Sequence, residues 1–321
     1  MRLITALLAI LLLALPGPAM AASTLRQQTL RLDTDSGTLY GTLLYPPTAT
    51  PPPVALLIAG SGPTNRDGNN SWARNNSLKL LAQSLGQRGI ATLRYDKRGV
   101  EASYEAGPDE RRFSVGRFTL DAVEWSRQLL ASGRFSRLVL IGHSEGALIA
   151  SLAAREAGAA AVISIAGSGR PIDQLLLEQL QQRPLPPLLQ GYSQWLIQEL
   201  DAGRPHSNVP PALMDLFRPS VQPYLISLFH QDPARAFAAL QVPTLIIQGR
   251  NDIQVSEQDA LALKQARPEA RLRLIEGMNH VLRIVPPDLA QQRASYANPN
   301  LPIAWELPQI IADFIKNLPQ K

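Results

Sequence analysis

Short apolar runs alternate with stretches of helical periodicity along most of the chain. Val54-Ala55-Leu56-Leu57-Ile58, Leu138-Val139-Leu140-Ile141, Ala161–Ile165 and Thr244–Gln248 are almost wholly apolar. Runs of this length and uniformity predict strands buried on both faces. Ile90–Tyr95 and Arg271–Ile275 read as further strands. Between them, Ser77–Arg88, Thr119–Leu130, Glu145–Glu156 and Ser256–Gln265 read as helices, and a last helix is predicted near Ile303–Ile315. Leu30–Asp33 and Leu39–Tyr45 read as two strands around the turn signal Asp35-Ser36-Gly37. Pro46–Pro53 is proline-rich and extended, a surface connector. Strands alternating with helices predict an α/β fold, with a mostly parallel central sheet flanked by helices.

The alternation stops after Ala161–Ile165 and resumes at Thr244. From Pro171 to about Leu240 there is no convincing strand. Leu- and Gln-rich helical stretches are broken by Pro184, Pro186-Pro187 and Pro210-Pro211. A helical block inside a strand–helix series is most simply an insertion above one edge of the sheet. The start of the chain has a different pattern. Arg2 precedes the apolar run Leu3–Leu15, Pro16-Gly17-Pro18 ends it, and Ala19-Met20-Ala21 offers small residues for cleavage. That is the form of a secretory leader over residues 1–21, too short for a comfortable membrane span. The expected organisation is a leader over 1–21, a core over 22–170 and 241–321, and a helical insertion over 171–240. The expected location is periplasmic or secreted, with no stable membrane insertion once the leader is removed.

Composition narrows the chemistry. The chain has 321 residues, 45% of them hydrophobic and 18% charged, enough apolar material for a sizeable core. The formal net charge is +5, but Lys and Arg are scattered. Without a basic stripe they read as a solvated surface, and no nucleic-acid partner is expected. Cysteine is absent, which excludes a thiol nucleophile, a disulfide and a thiolate metal site. The four histidines, His143, His206, His230 and His280, have no metal-pair spacing, so no metal site is expected.

One motif stands above the rest. Gly142-His143-Ser144-Glu145-Gly146 follows a predicted strand and opens a predicted helix. A strand turning directly into a helix holds the central serine on a strained corner above the sheet. The flanking glycines are needed because a Cβ would strike neighbouring backbone in so tight a turn. A serine hydroxyl is a poor nucleophile without an adjacent base, and the base needs a carboxylate to fix its tautomer. Asp252, just past the strand Thr244–Gln248, can reach across the carboxyl edge of the sheet, although a turn or N-cap aspartate would sit there too. His280, after the last predicted strand, is the candidate base. His143 reads as a side chain that points away from the serine and packs or hydrogen-bonds locally.

The order Ser144, Asp252, His280 is that of the α/β hydrolases. Gly60-Ser61-Gly62-Pro63-Thr64-Asn65-Arg66-Asp67-Gly68-Asn69, Tyr95-Asp96-Lys97-Arg98-Gly99, Gln248-Gly249 with Asp252, and Asn279-His280 add to the likeness. Over roughly residues 30–318, outside the insertion, the chain resembles a bacterial branch of that superfamily, with exported esterases and serine aminopeptidase-like hydrolases. The resemblance implies an oxyanion hole made by the Glu145 backbone N–H and a donor from the glycine loop, assigned to Ser61. It opens with Ala59-Gly60 where many relatives have His-Gly. Asp67, Asp96 and Arg98 are expected to hold that loop. Gly99-Val100-Glu101-Ala102-Ser103 stands where relatives often carry Gly-Val-Gly-Lys-Ser.

The insertion is then expected to be a helical cap, with some of its apolar side chains lining a pocket. The implied activity is hydrolysis of small-molecule carboxylic esters through an acyl-enzyme, with no cofactor. Two rivals use the same triad. One is an acyltransferase. The other is a peptidase acting on free N-termini, which would need acidic groups converging from the cap; Glu178, Glu199, Asp201 and Asp215 are available. A non-catalytic binding module on the same scaffold is a further alternative.

Overall fold

The computed structural model describes residues 24–182 and 185–319. The leader expected over residues 1–21 and the breaker Pro184 lie outside the described residues. The chain runs β1 (Arg26–Thr34), β2 (Gly37–Tyr45), β3 (Val54–Ile58), α1 (Ser77–Gly86), β4 (Ala91–Tyr95), α2 (Val115–Ala131), β5 (Leu138–His143), α3 (Glu145–Ala153) and β6 (Ala161–Ile165). The helices α4 (Ile172–Gln181), α5 (Pro187–Asp201), α6 (Met214–Phe217), α7 (Gln222–Phe229) and α8 (Pro233–Ala238) follow. The chain closes with β7 (Thr244–Gly249), α9 (Glu257–Ala266), β8 (Arg271–Ile275), α10 (Leu289–Tyr296) and α11 (Glu306–Lys316).

The strands form one sheet in the order β1-β2-β4-β3-β5-β6-β7-β8. β1 and β2 pair antiparallel around the Asp35-Ser36 turn, and β2 also runs antiparallel to β4. Every pair from β4 to β8 is parallel. The chain moves from β3 outward to β4, then crosses back over β3 to β5. The carboxyl ends of β3 and β5 therefore flank the switch point of the sheet, where open α/β sheets build their sites.

The central strands are apolar throughout because both faces are covered, and alternate residues serve different cores. Val54, Leu56, Ile58, Leu138 and Leu140 pack with Phe118, Ala122 and Trp125 of α2 and Leu148 and Ile149 of α3. Ala55, Leu57, Val139 and Ile141 pack with Leu81 and Leu85 of α1 and Leu307, Ile311 and Phe314 of α11. β8, at the edge, is half-exposed, which explains its alternating sequence Arg271-Leu272-Arg273-Leu274.

Between β6 and β7 the described residues form helices joined by loops, with no strand among them. α5 packs on α4 and α7, and α7 reaches α2 and the 3₁₀ turn Glu110–Arg112. α8 instead packs on α3 and α9, in the layer that covers the sheet. The sequence pattern did not predict α10, whose residues Leu289-Ala290-Gln291-Gln292-Arg293 carry no apolar stripe; Asp288 caps it by accepting from the Gln291 N–H.

Candidate active site

Ser144 sits between the last residue of β5 and the first of α3, at φ 55° and ψ −124°. A serine in that region carries strain of about 1–3 kcal/mol and persists only where its surroundings over-determine it. Here the Ser144 N–H donates to Ile165 O at the end of β6 (2.9 Å), and Ser144 O accepts from the Ala147 N–H (2.9 Å). The flanking glycines are obligatory for different reasons. A Cβ on Gly142 would strike the Gly146 backbone, and one on Gly146 would strike the backbone of Ile58 in β3.

The loops that carry Asp252 and His280 are bound to each other. Gly249 ends β7 against the Met278 backbone, leaving no space for a Cβ. The Arg250 and Asn251 N–H groups donate to Ile275 O (3.1 Å) and Met278 O (3.0 Å). Asn279 is fully buried; its amide donates to Gln292 and Ser295 of α10, and its Oδ1 accepts from the Arg283 N–H. Leu282 takes φ 65° in the same turn. His280 is thus presented from a fixed loop. Its Nδ1 donates to Asp252 Oδ2 at 2.8 Å. The remaining Asp252 oxygen accepts from the Gln254 and Val255 N–H groups, at 2.8 and 3.0 Å. Burial alone would raise the Asp252 carboxyl. The His280 ring and these donors outweigh it and hold Asp252 below the usual carboxylate range. With Nδ1–H committed to Asp252, the His280 Nε2 lone pair is the one left to accept a proton.

His143 joins this pair to the elbow. Its Nε2 lies 2.8 Å from His280 O, and the two rings are 4.8 Å apart, centre to centre. A carbonyl only accepts, so His143 Nε2 carries the proton. Burial, then the neighbouring His280, pushes His143 down to about 4, which keeps it neutral. The expected local packing of His143 is therefore a long-range hydrogen bond to the backbone of the candidate base. Ser144 Oγ makes no hydrogen bond among the described residues.

The glycine loop after β3 lies over the elbow. A Cβ on Gly60 would come within 3.0 Å of Ser144 Cβ. Ser61 follows it, exposed, and its N–H has no acceptor among the described residues; nor has that of Glu145 at the start of α3. Asp96 accepts from the Arg66 N–H (2.8 Å) and guanidinium (2.6 Å), and Arg94 pairs with Asp67. Asp67 and Asp96 do hold the loop. Arg98 does not: it turns to Asp121 of α2, Ser36 and Ala106 O, tying α2 to the β1–β2 turn.

The sequence assigned no role to the side chains of Lys97 and Glu145 or to the Tyr224 hydroxyl. Lys97, buried, donates to Gly60 O at 2.6 Å. The buried Glu145 carboxylate and Tyr224 hydroxyl stand together behind the elbow. Burial, then the Glu145 carboxylate, pushes the Tyr224 phenol well up. Lys97 and Tyr224, with Gly62, Pro63, Phe113 and Phe118, line a cavity of about 410 Å³ between the core and α7. Arg218 and Glu110 pair at 2.6 Å in its wall. Ser144 and His280 are not among its lining residues.

The sheet order with its switch point, and a strained serine there, define an α/β hydrolase. The chain belongs to the alpha/beta hydrolase family, whose sequence profile matches residues 55–292. Among characterised proteins, it is similar to Esterase EstD of Thermotoga maritima, 28% identical over 250 residues. That similarity covers 76% of this chain, which spans only 58% of the relative's length. Among solved structures, Est1E from Butyrivibrio proteoclasticus, with ferulic acid bound, has the same fold with TM-score 0.61 at 16% identity, covering 90% of this chain and 98% of that one. The acylaminoacyl peptidase of Pyrococcus horikoshii matches with TM-score 0.60 at 13% identity, covering 94% of this chain and 42% of that one.

Proposed function

We propose that the protein hydrolyses small-molecule carboxylic esters, with Ser144 as nucleophile, His280 as base and Asp252 as the acid that orients it. The observation that carries this reading is the 2.8 Å bond from His280 Nδ1 to Asp252, on a base whose backbone is tied to the elbow through His143. Ser144 Oγ attacks the ester carbonyl while His280 Nε2 takes its proton. Charge then moves to the carbonyl oxygen, where the Ser61 and Glu145 N–H groups donate to it. Collapse breaks the bond to the alcohol, which leaves with the proton held by His280. Water, deprotonated by His280, attacks the acyl-enzyme in the same way and releases the acid and Ser144. No step calls for a cofactor.

The name of the esterase relative supports the ester as substrate. Two of the four acidic groups that a peptidase could use for a free N-terminus are engaged elsewhere: Glu178 pairs with Arg170, and Glu199 with Arg204 and His206. In this reading α4–α7 form the cap, and the cavity beside α7 takes part of the substrate. We also propose export through the leader at residues 1–21, on the strength of its sequence pattern; amino-terminal sequencing of the protein from cells should then begin just after Ala21.

The test is turnover of a p-nitrophenyl ester series beside amino-acid p-nitroanilides, with Ser144→Ala as control. Ester turnover reduced by about 10³-fold or more in Ser144→Ala is expected. Anilide cleavage exceeding ester cleavage would move the assignment to a peptidase. Turnover unaffected by Ser144→Ala would overturn the reading.

A further inference from the structure

We propose that Lys97 is a positioning residue for the oxyanion hole, acting through the Gly60–Ser61 peptide; this rests on the esterase reading above. The register of the sheet brings the two segments together. Leu57 of β3 pairs with Arg94 of β4 in a parallel ladder, so three residues further on Gly60 lies opposite Lys97. Lys97 Nζ donates to Gly60 O at 2.6 Å. That carbonyl and the Ser61 N–H are the two ends of one trans peptide unit and point in opposite directions. Holding the oxygen toward Lys97 therefore turns the Ser61 N–H the other way, to the side that this proposal assigns to the oxyanion.

The position needs such a clamp. Residue 60 favours glycine, because a Cβ there would crowd Ser144 Cβ at 3.0 Å. Glycine avoids that contact but leaves the peptide free to rotate. No other donor reaches Gly60 O among the described residues. The neighbouring bonds, Asp96 to Arg66 and Arg94 to Asp67, fix the loop further along and leave this peptide plane to Lys97. Lys97 is only 5% exposed, and burying an ammonium costs stability that a packing role would not require. Burial pushes its amine down, and the nearby Glu145 carboxylate acts against that, favouring the donor form.

The test uses the absence of cysteine from the chain. Lys97→Cys, alkylated in urea with 2-bromoethylamine and refolded, regains an ammonium of lysine length. Alkylation with 1-bromopropane gives the same length ending in a methyl group. Both forms are checked for folding by circular dichroism and compared with wild type and Ser144→Ala on p-nitrophenyl butyrate. Loss of a whole oxyanion donor costs about 10²–10³-fold, and misdirecting one is expected to cost about 10–100-fold. The propyl form should lose kcat by that factor with KM changed less than about twofold, and should bind a trifluoromethyl ketone more weakly by a similar factor. The aminoethyl form should recover both. Lys97→Met gives the same comparison without the alkylation step. Equal kcat in the aminoethyl and propyl forms, with turnover still dependent on Ser144, would overturn the role of Lys97 alone. Turnover indifferent to Ser144→Ala would overturn the esterase reading itself.

Discussion

His143 shows how one side chain can serve the site without touching the reaction. It follows Gly142 on β5, yet its bond crosses to the backbone of His280, 137 residues away. The bond needs a neutral ring that donates from Nε2. Burial supplies it by lowering His143 from 6.5 to about 4. The unfolded chain therefore binds this proton more tightly than the folded one. The His143 contribution to stability is complete above about pH 6.5 and is lost as pH falls toward 4, at up to about 3 kcal/mol. The neighbouring His280 lowers the His143 ring further, and the Asp252 carboxylate acts the other way. His143→Gln keeps an N–H donor and cannot titrate. Urea midpoints measured from pH 4 to 7 should therefore slope less in His143→Gln than in wild type. Equal slopes would place the proton uptake elsewhere.

At the scale of elements, the site depends on where strands stop. β3, β4 and β5 end together at the switch point, so the glycine loop, its clamp and the elbow meet there. In the segment after Lys97, Glu101 occupies a position where the resemblance implies glycine. The structure gives it φ 45°, in the left-handed region, with its carboxylate accepting from Asn65 at 3.3 Å. A side chain held there costs roughly 1–2 kcal/mol, against a modest exposed hydrogen bond. Glu101→Gly is expected to stabilise the protein by up to about 1 kcal/mol, read as a raised urea midpoint. Glu101→Ala keeps the strained backbone and should give no such gain. A gain in both would trace the effect to the lost carboxylate instead.

For the whole molecule, the question is how the helices between β6 and β7 engage the core. Arg218, between α6 and α7, pairs with Glu110 on the core side of the cavity, and Ser220 donates to the same carboxylate. Burial would raise the Glu110 carboxyl, but Arg218 and Ser220 hold it below its ordinary value. The pair is partly exposed, so its worth to overall stability is about 1 kcal/mol or less. Its expected effect is on the cavity wall. Glu110→Gln should raise KM for long-chain p-nitrophenyl esters more than for the acetate, with little change in thermal midpoint. Equal KM changes across the series would separate this wall from substrate binding.

The sequence by itself determined the strands, because runs such as Val54–Ile58 and Ala161–Ile165 are buried on both faces and show it in their composition. It also determined the chain order of Ser144, Asp252 and His280, since each follows a legible strand. α10 stayed hidden because its capping and packing leave no apolar periodicity. Arg98 turns to Asp121 and not to the glycine loop because side-chain direction after a strand end is set by what lies opposite, not by the residue type. Only the tertiary structure decided that Lys97 meets Gly60, that His143 meets His280, and that the buried Glu145 and Tyr224 side chains come together. Those contacts depend on parallel register and crossover, which join segments tens to hundreds of residues apart. Local periodicity carries no record of such pairings.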